Sequence, residues 1–564
     1  MNRGCQQTAD LSVPDSPKSL GAFYTDAQVA DFLVWWAVRS GSQTVLDPGF
    51  GGGVFLRSAC KRLKDLNGNP SNQVFGVEID ADVYSRIADK LRDEFSINKR
   101  HLVLADFFDV DGKRMSPVDA VVGNPPFIRY QRFSGEARKK GLRCAAQQGI
   151  RLGELCSSWA PFLVHSVSML KSGGRLAMVI PVEISHASYA LPVVKYLSRS
   201  FRRVTFLTFR KKLFPDLSEG TLLLLGEDRG PHDGEFLWSD LSHPGRLAEI
   251  QRLDLRSIPG ARAVDAVNLS NGCERLIENF IPRKARELYR ELRGLEMTRR
   301  LGSLVDIGIG YVTGANGFFH LDSNQIRLRG IPKRYLRPAV RRGRALLGLR
   351  FTEEDWRQAL ANGEGSYLLY IDEECGLPES VLCYLKDGEA RGVHKAYKCR
   401  TRTPWFRVPH VYRGDALLTY MSGATPRLVA NDARVIAPNS LHVVRARSGC
   451  TLRGDALAAL WQTSLTRLSA EIEGHPLGGG MLKLEPREAE SVVIAWPPSD
   501  ASLLVDLAQE LDAMVRRGLE KEAQVRADEA ILQQGIGMHR AECEWLRKAA
   551  LTLRERRYLR STLN

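Results

Sequence analysis

The ten cysteines are scattered along the 564 residues, and none forms a Cys-X-X-Cys pair. That excludes the usual paired-thiolate zinc site and argues against a secreted disulfide framework, so no metal is expected and a reducing compartment fits. No run of about 18 apolar residues occurs, so no segment is expected to span a membrane. The opening stretch, MNRGCQQTADLSVPDSPKS, is polar and turn-rich and lacks the apolar run of a signal peptide. Fixed-period repeats and long low-complexity tracts are missing too. No Gly-Lys-Ser/Thr triplet is present, which disfavours a nucleotide-triphosphate loop.

What is there is length, basic charge and alternation. The chain is long enough for two or three domains with substantial cores. A formal net charge of +15 suits either a polyanionic partner or a basic enzyme with a solvated surface. In YTDAQVADFLVWWAV, Thr25 or Asp26 can cap a helix whose apolar face is Val29, Phe32, Leu33 and Trp36. Short apolar runs then alternate with helical patterns: TVLD (44–47), QVFGVEID (73–80), HLVLADFF (101–108), VDAVVGN (118–124), GGRLAMVIP, RRVTFLTF and TLLLLGE. This alternation predicts an α/β fold with a doubly wound, mostly parallel, Rossmann-like sheet. Such sheets bind ligands beyond the carboxyl ends of their strands.

The chain places its unusual polar residues at those ends. The first strand runs into Asp47-Pro48-Gly49-Phe50-Gly51-Gly52-Gly53, where glycines let backbone approach a ligand closely. The second ends at Glu78, Ile79 and Asp80, and a carboxylate there can accept from both ribose hydroxyls. The third ends at Asp106-Phe107, an acceptor for an exocyclic amine beside a ring that can pack on a purine. Glu78 and Asp106 could instead be helix N-caps, but the set of three successive ends describes an adenosine-bearing cofactor. The fourth strand ends in Asn124-Pro125-Pro126-Phe127. The Asn124 side chain and the Pro125 carbonyl offer two acceptors, enough to hold both protons of one amino group. The prolines stiffen the pair, and Phe127 offers a flat apolar face. A proline-rich turn capped by asparagine is the plainer alternative.

In motif order the chain resembles the TaqI-like gamma group of S-adenosylmethionine-dependent adenine-N6 DNA methyltransferases. GAFYTDAQVADFL, LDPGFGGGVFL, GVEID, ADFF, GNPPF, LKSGGRLAMVIP and LFPDLSEGTLLLL follow one another in the family's sequence over roughly residues 20–226. The resemblance implies that Tyr24, Thr25, Asp47, Pro48, Gly49, Gly51, Glu78, Ile79, Asp106, Phe107 and Asn124 contact S-adenosyl-L-methionine. It implies that Asn124, Pro125, Pro126 and Phe127 form the catalytic corner, and that Phe127 and Phe214 sandwich a flipped base. Phe127 stands where the family often has tyrosine, and Phe50 and Gly52 depart from the usual loop. No cysteine nucleophile lies beside the NPPF motif, which disfavours cytosine-C5 chemistry.

The second half changes texture to short strands and turns. Residues 275–300 read as a charged helix joining domains, and LGSLVDIGIGYVTGANGFFHL (301–321) and HPLGGGMLKLEP (475–486) resemble parts of the family's target-recognition domains. Basic residues cluster at Arg337, Arg341 and Arg342, and again at Lys395, Lys398, Arg400 and Arg402, interleaved with Trp405. These are the expected double-stranded DNA contacts, against the alternative of a solvated basic surface. A stripe of Leu504, Leu507, Leu511, Met514 and Leu519 predicts a helical tail packed on that domain. The expected divisions are a catalytic domain (1–245), an α+β recognition domain (246–500) and a helical segment (501–564). The implied function is sequence-specific adenine-N6 methylation in a restriction–modification or defence system. A separately encoded restriction endonuclease, a monomeric state and a bacterial cytoplasmic, nucleoid-associated location go with it. RNA guanine-N2 methylation, protein glutamine-amide methylation and a non-catalytic DNA-binding specificity subunit are the alternatives.

Overall fold

The computed structural model describes residues 25–214, 220–254, 258–362, 365–372, 376–450, 452, 454–497 and 501–559. The chain divides into two compact units, one ending at Leu276 and the other beginning at Ile277.

The first unit is built on one sheet. Its strands are β1 (Val45–Asp47), β2 (Val74–Glu78), β3 (Leu102–Leu104), β4 (Val118–Gly123), β5 (Leu170–Pro181), β6 (Phe201–Phe209), β7 (Thr221–Arg229), β8 (Glu235–Leu241) and β9 (Arg262–Val264). Their order is β3-β2-β1-β4-β5-β7-β6-β8-β9. β1 pairs in parallel with both β2 and β4, so the winding reverses between β1 and β4. β3 extends one side and β5 the other, both parallel, while β7 runs antiparallel between β5 and β6. The central strands are short and mostly apolar because both faces are covered: Val45, Leu46, Val77, Val121 and Val122 are fully buried. β9 pairs with β8, so the sheet runs on past residue 245.

Helices α1 (Ala27–Ala37), α2 (Val54–Asp65), α3 (Pro70–Gln73), α4 (Ala81–Phe95), α5 (Gly135–Gln147) and α6 (Trp159–Ser168) follow or precede these strands. Asp26 caps α1, and Asp80 caps α4 by accepting from the Asp82 and Val83 amides. Gly76 in β2 makes room for the glycine-rich loop. A Cβ there would lie 2.8 Å from Phe50 Cδ1 and 2.9 Å from Leu56 Cδ1. Phe50, the departure from the family loop, thus packs inward against the sheet, 2% exposed.

The second unit has cores of its own. Val305–Ile309, Leu441–Ala446, Ala416–Thr419 and Leu428–Ala430 form an antiparallel sheet. Its core takes in Leu288, Tyr289 and Leu292 of the helix Arg283–Gly294. The expected joining helix is therefore a packed part of this unit, with its apolar stripe buried. Leu504, Leu507 and Leu511 of the tail belong to the same core, whereas Leu519 is 39% exposed. A smaller aromatic core, with Phe318, Phe319, Tyr335 and Tyr384, lies around His320–Leu321, Leu336–Val340 and Gly365–Leu369. Among the described residues no helix is long and apolar enough to cross a membrane.

Candidate active site

The loop after β1 and the end of β2 are tied together by one carboxylate. Glu78 accepts from the Gly51 amide at 2.8 Å and from the Ile79 and Asp80 amides at 2.9 Å each. A carboxylate offers about four acceptor positions, so these three bonds leave it about one more. Ile79, the next residue, is 61% exposed. Gly51 has φ of +45°, and a Cβ there would meet nothing within 4 Å, so the loop backbone borders open space. Gly123, at the end of β4, comes so close that a Cβ would lie 3.0 Å from Asp47 Oδ1.

Asp47 is fully buried. Its Oδ1 accepts from the Gly49 amide at 3.2 Å, and its Oδ2 has no hydrogen-bond partner among the described residues. Burial pushes its carboxyl up to about 8, the Gly49 bond opposes this and the nearby Glu78 charge adds to it. A cationic ligand beside Asp47 favours the ionised form, so binding one must expel a proton below about pH 8. Affinity for a cationic cofactor is therefore expected to rise between pH 6 and 8, by up to about tenfold per unit. Calorimetric titration across that range checks this, and a flat profile contradicts it.

At the end of β3 the N-cap alternative is realised. Asp106 accepts from the Phe108 amide at 3.0 Å and pairs with Lys140 of α5 at 3.2 Å, and Lys140 also bridges to Asp109. Lys140 lies 34 residues along the chain, with no local pattern to announce it. Phe107 turns inward, 4% exposed, with its ring 4.8 Å from Phe162 and 4.5 Å from His165. His165 is structural: its Nε2 lies 2.9 Å from the Val110 carbonyl and 3.1 Å from that of Phe107.

At the end of β4, Asn124 Nδ2 donates to Thr25 Oγ1 at 3.2 Å, just ahead of α1. That bond occupies the amide nitrogen and leaves Oδ1 buried with no partner among the described residues. Pro125 is buried, and Phe127 and Phe214 are 8% and 9% exposed. Tyr24 lies outside the described residues, as do residues 215–219 after Phe214. The residue that sequence reasoning missed is Ser158, whose hydroxyl and amide bond to Pro126 and Ile128 on either side of Phe127. Buried, acceptor-rich groups thus gather at four neighbouring strand ends, at the point where the sheet's winding reverses.

The N-6 DNA Methylase family matches residues 12–225, and the family described as type II methyltransferase M.Eco57I, C-terminal domain, matches residues 274–532. Residues 12–225 are thus an N-6 DNA methylase domain. This methylase is 21% identical to type II methyltransferase M.AccI of Acinetobacter calcoaceticus over 483 residues, 84% of each chain. It is 22% identical to type II methyltransferase M.XamI of Xanthomonas campestris pv. amaranthicola over 487 residues, 84% of this chain and 85% of that one. Its fold is like that of the type IIL restriction-modification enzyme MmeI, solved in complex with DNA. That likeness has a TM-score of 0.57 at 13% identity and covers 94% of this chain and 75% of MmeI. That domain and the methyltransferase relatives make the chain an enzyme and imply a methyl-donor cofactor. The site fits such a group: Asp47 Oδ2 lacks a donor among the described residues, and Gly51 borders open space.

In the second unit the methylase separates the expected basic contacts into two kinds. Arg342, Lys395, Lys398 and Arg400 are exposed. Lys398 and Arg400 lie 5.5 Å and 5.4 Å from the ring of Tyr397, itself 65% exposed. Arg337 is half-buried, 5.1 Å from the Tyr370 ring, and donates to the Arg334 carbonyl at 2.7 Å; Arg341 is half-buried as well. Arg402 has a structural task. Its guanidinium donates to the Thr313 carbonyl at 2.9 Å and to that of Val312, holding the 312–313 turn. Trp405 packs against the smaller aromatic core and donates to Glu389 at 3.0 Å.

Proposed function

We propose that this methylase transfers a methyl group from S-adenosylmethionine to N6 of an adenine flipped out of duplex DNA, at a site chosen by its second unit. The observation that carries this reading is the buried, unpartnered Oδ1 of Asn124 in a proline-stiffened corner. Adenine N6 is a poor nucleophile because its lone pair is delocalised into the ring. Asn124 Oδ1 and the Pro125 carbonyl accept hydrogen bonds from its two N–H groups, which favours a pyramidal nitrogen with an available lone pair. Phe127 supplies a stacking face, and Phe214 is proposed as its counterpart. Flipping costs a few kcal/mol, and stacking returns roughly 1–3 kcal/mol per base. Asp47, Glu78, Ile79, Asp106 and the Pro48–Gly51 loop would hold the cofactor, which supplies a methyl already activated on its sulfonium.

The description of the family matched by residues 12–225, N-6 DNA Methylase, favours DNA over the RNA and protein substrates. The complete set of strand-end groups disfavours a non-catalytic subunit. A separately encoded restriction endonuclease, a monomeric state and action at the bacterial nucleoid complete the proposal. The exposed Arg342, Lys395, Lys398 and Arg400 suit DNA phosphates. Incubating the purified protein with tritiated S-adenosylmethionine and duplex DNA, RNA or protein tests the reading. Label is expected in DNA, in N6-methyladenine; label confined to RNA, protein or cytosine contradicts it.

A further inference from the structure

Two prolines leave the catalytic corner short of backbone donors. Pro125 and Pro126 have no N–H, so the corner cannot hold its shape through a sheet ladder. Its support comes from the residue before α6. The Ile128 amide donates to Ser158 Oγ at 2.8 Å, and the same hydroxyl donates to the Pro126 carbonyl. The Ser158 amide donates in turn to the Ile128 carbonyl at 2.9 Å. One residue, 2% exposed, therefore grips both flanks of Phe127. A hydroxyl can donate and accept at once, which neither alanine nor an amide N–H can do.

Ser158 is itself braced. Trp159, fully buried, donates its indole N–H to Glu183 at 3.0 Å and lies 2.8 Å from the Tyr189 hydroxyl. Glu183 sits in the turn Val182–Ser185 that directly follows β5. β5 is the parallel neighbour of β4, the strand that delivers Asn124. The ends of the two strands are thus linked by side chains, from Glu183 through Trp159 and Ser158 to Pro126.

We propose that Ser158 is a positioning residue for methyl transfer: by fixing Pro126 and Ile128 it holds Asn124, Pro125 and Phe127 in reacting geometry. This rests on the reading of that corner as the amine clamp. Misplacing reacting groups by about 1 Å can cost on the order of 100-fold in rate. The full-length Ser158→Ala and Ser158→Thr proteins would be compared with wild type in three measurements: cofactor affinity, melting temperature and single-turnover methylation of plasmid DNA that wild type modifies.

The alanine variant should lose roughly 10- to 100-fold in rate, with cofactor affinity within about twofold of wild type and activity largely restored by threonine. Trp159→Phe, which keeps the ring and removes the N–H, should show a smaller loss with the same split. An alanine variant at wild-type rate overturns the proposal and leaves the adenine reading intact. So does a rate loss matched by lost cofactor affinity, or one that threonine does not restore. A wild-type protein that binds cofactor and methylates no DNA overturns both.

Discussion

Replacing Asn124 by alanine should abolish methyl transfer while leaving cofactor binding close to wild type. Among the described residues the Asn124 side chain makes one hydrogen bond, from its Nδ2 to Thr25. Its Oδ1 is already desolvated and has no donor among the described residues. A buried acceptor without a partner costs about 1–3 kcal/mol, which a folded chain does not tolerate idly. An amino group donating to that oxygen removes the penalty, most strongly as the nitrogen becomes nucleophilic. Losing one such preorganised contact costs on the order of 100- to 1000-fold in turnover. The proposed cofactor residues, Asp47, Glu78 and the Pro48–Gly51 loop, are untouched by the change. Calorimetry with S-adenosylmethionine and a methylation assay on one preparation check both halves, and substantial transfer by the variant contradicts the role.

Replacing Arg557 by alanine should destabilise the second unit by about 3–5 kcal/mol. Its guanidinium meets Glu471 side-on, at 2.8 Å and 2.6 Å, with both side chains 4% exposed. The remaining donors go to the carbonyls of Gly423 at 3.1 Å and Ala424 at 2.9 Å, and to Gly480 in the glycine-rich loop. This pair fastens the C-terminal helix Arg540–Leu559 to the helix Ser464–Glu473. Removing the cation strands a buried carboxylate and three carbonyls together. Burial already raises the Glu471 pKa, with Arg557 opposing. The folded state therefore holds that proton more tightly than the unfolded state, and Glu471's contribution weakens as pH rises above the usual carboxylate range. Without Arg557 this dependence should steepen, so the variant's deficit should be larger at pH 8 than at pH 5. Denaturant melts at both pH values check it. A deficit under about 1 kcal/mol, the range of an exposed ion pair, contradicts a buried clamp.

The sheet was legible in the sequence because its central strands are buried on both faces and therefore read as short, mostly apolar runs. TVLD, QVFGVEID and VDAVVGN became β1, β2 and β4 nearly residue for residue. The strand-end carboxylates were legible for the same reason, since a polar residue ending such a run stands out. Their partners were not. Nothing local marks Lys140 as the partner of Asp106, or Ser158 as the support of Pro126, because those contacts exist only once α5 and α6 fold back onto the strand ends. Asp106 caps the turn after β3 and pairs with Lys140, so the N-cap role that the sequence allowed is realised.

In the second unit the charge pattern showed where cations cluster but not how they are used. Arg402 and Arg400 look alike in sequence. One holds the carbonyls of a turn and the other stands exposed beside Tyr397. Trp405, given with them as an expected DNA contact, packs with Phe318 and Phe319. An aromatic between arginines can face either way, and only the fold of the segment decides.

Long-read sequencing of DNA from cells expressing this protein tests the central claim most directly. The account predicts N6-methyladenine at one recurring sequence context, absent from cells expressing the Asn124→Ala protein. Unmodified adenine throughout, with wild-type protein present and cofactor bound, would contradict it, as would a mark on cytosine.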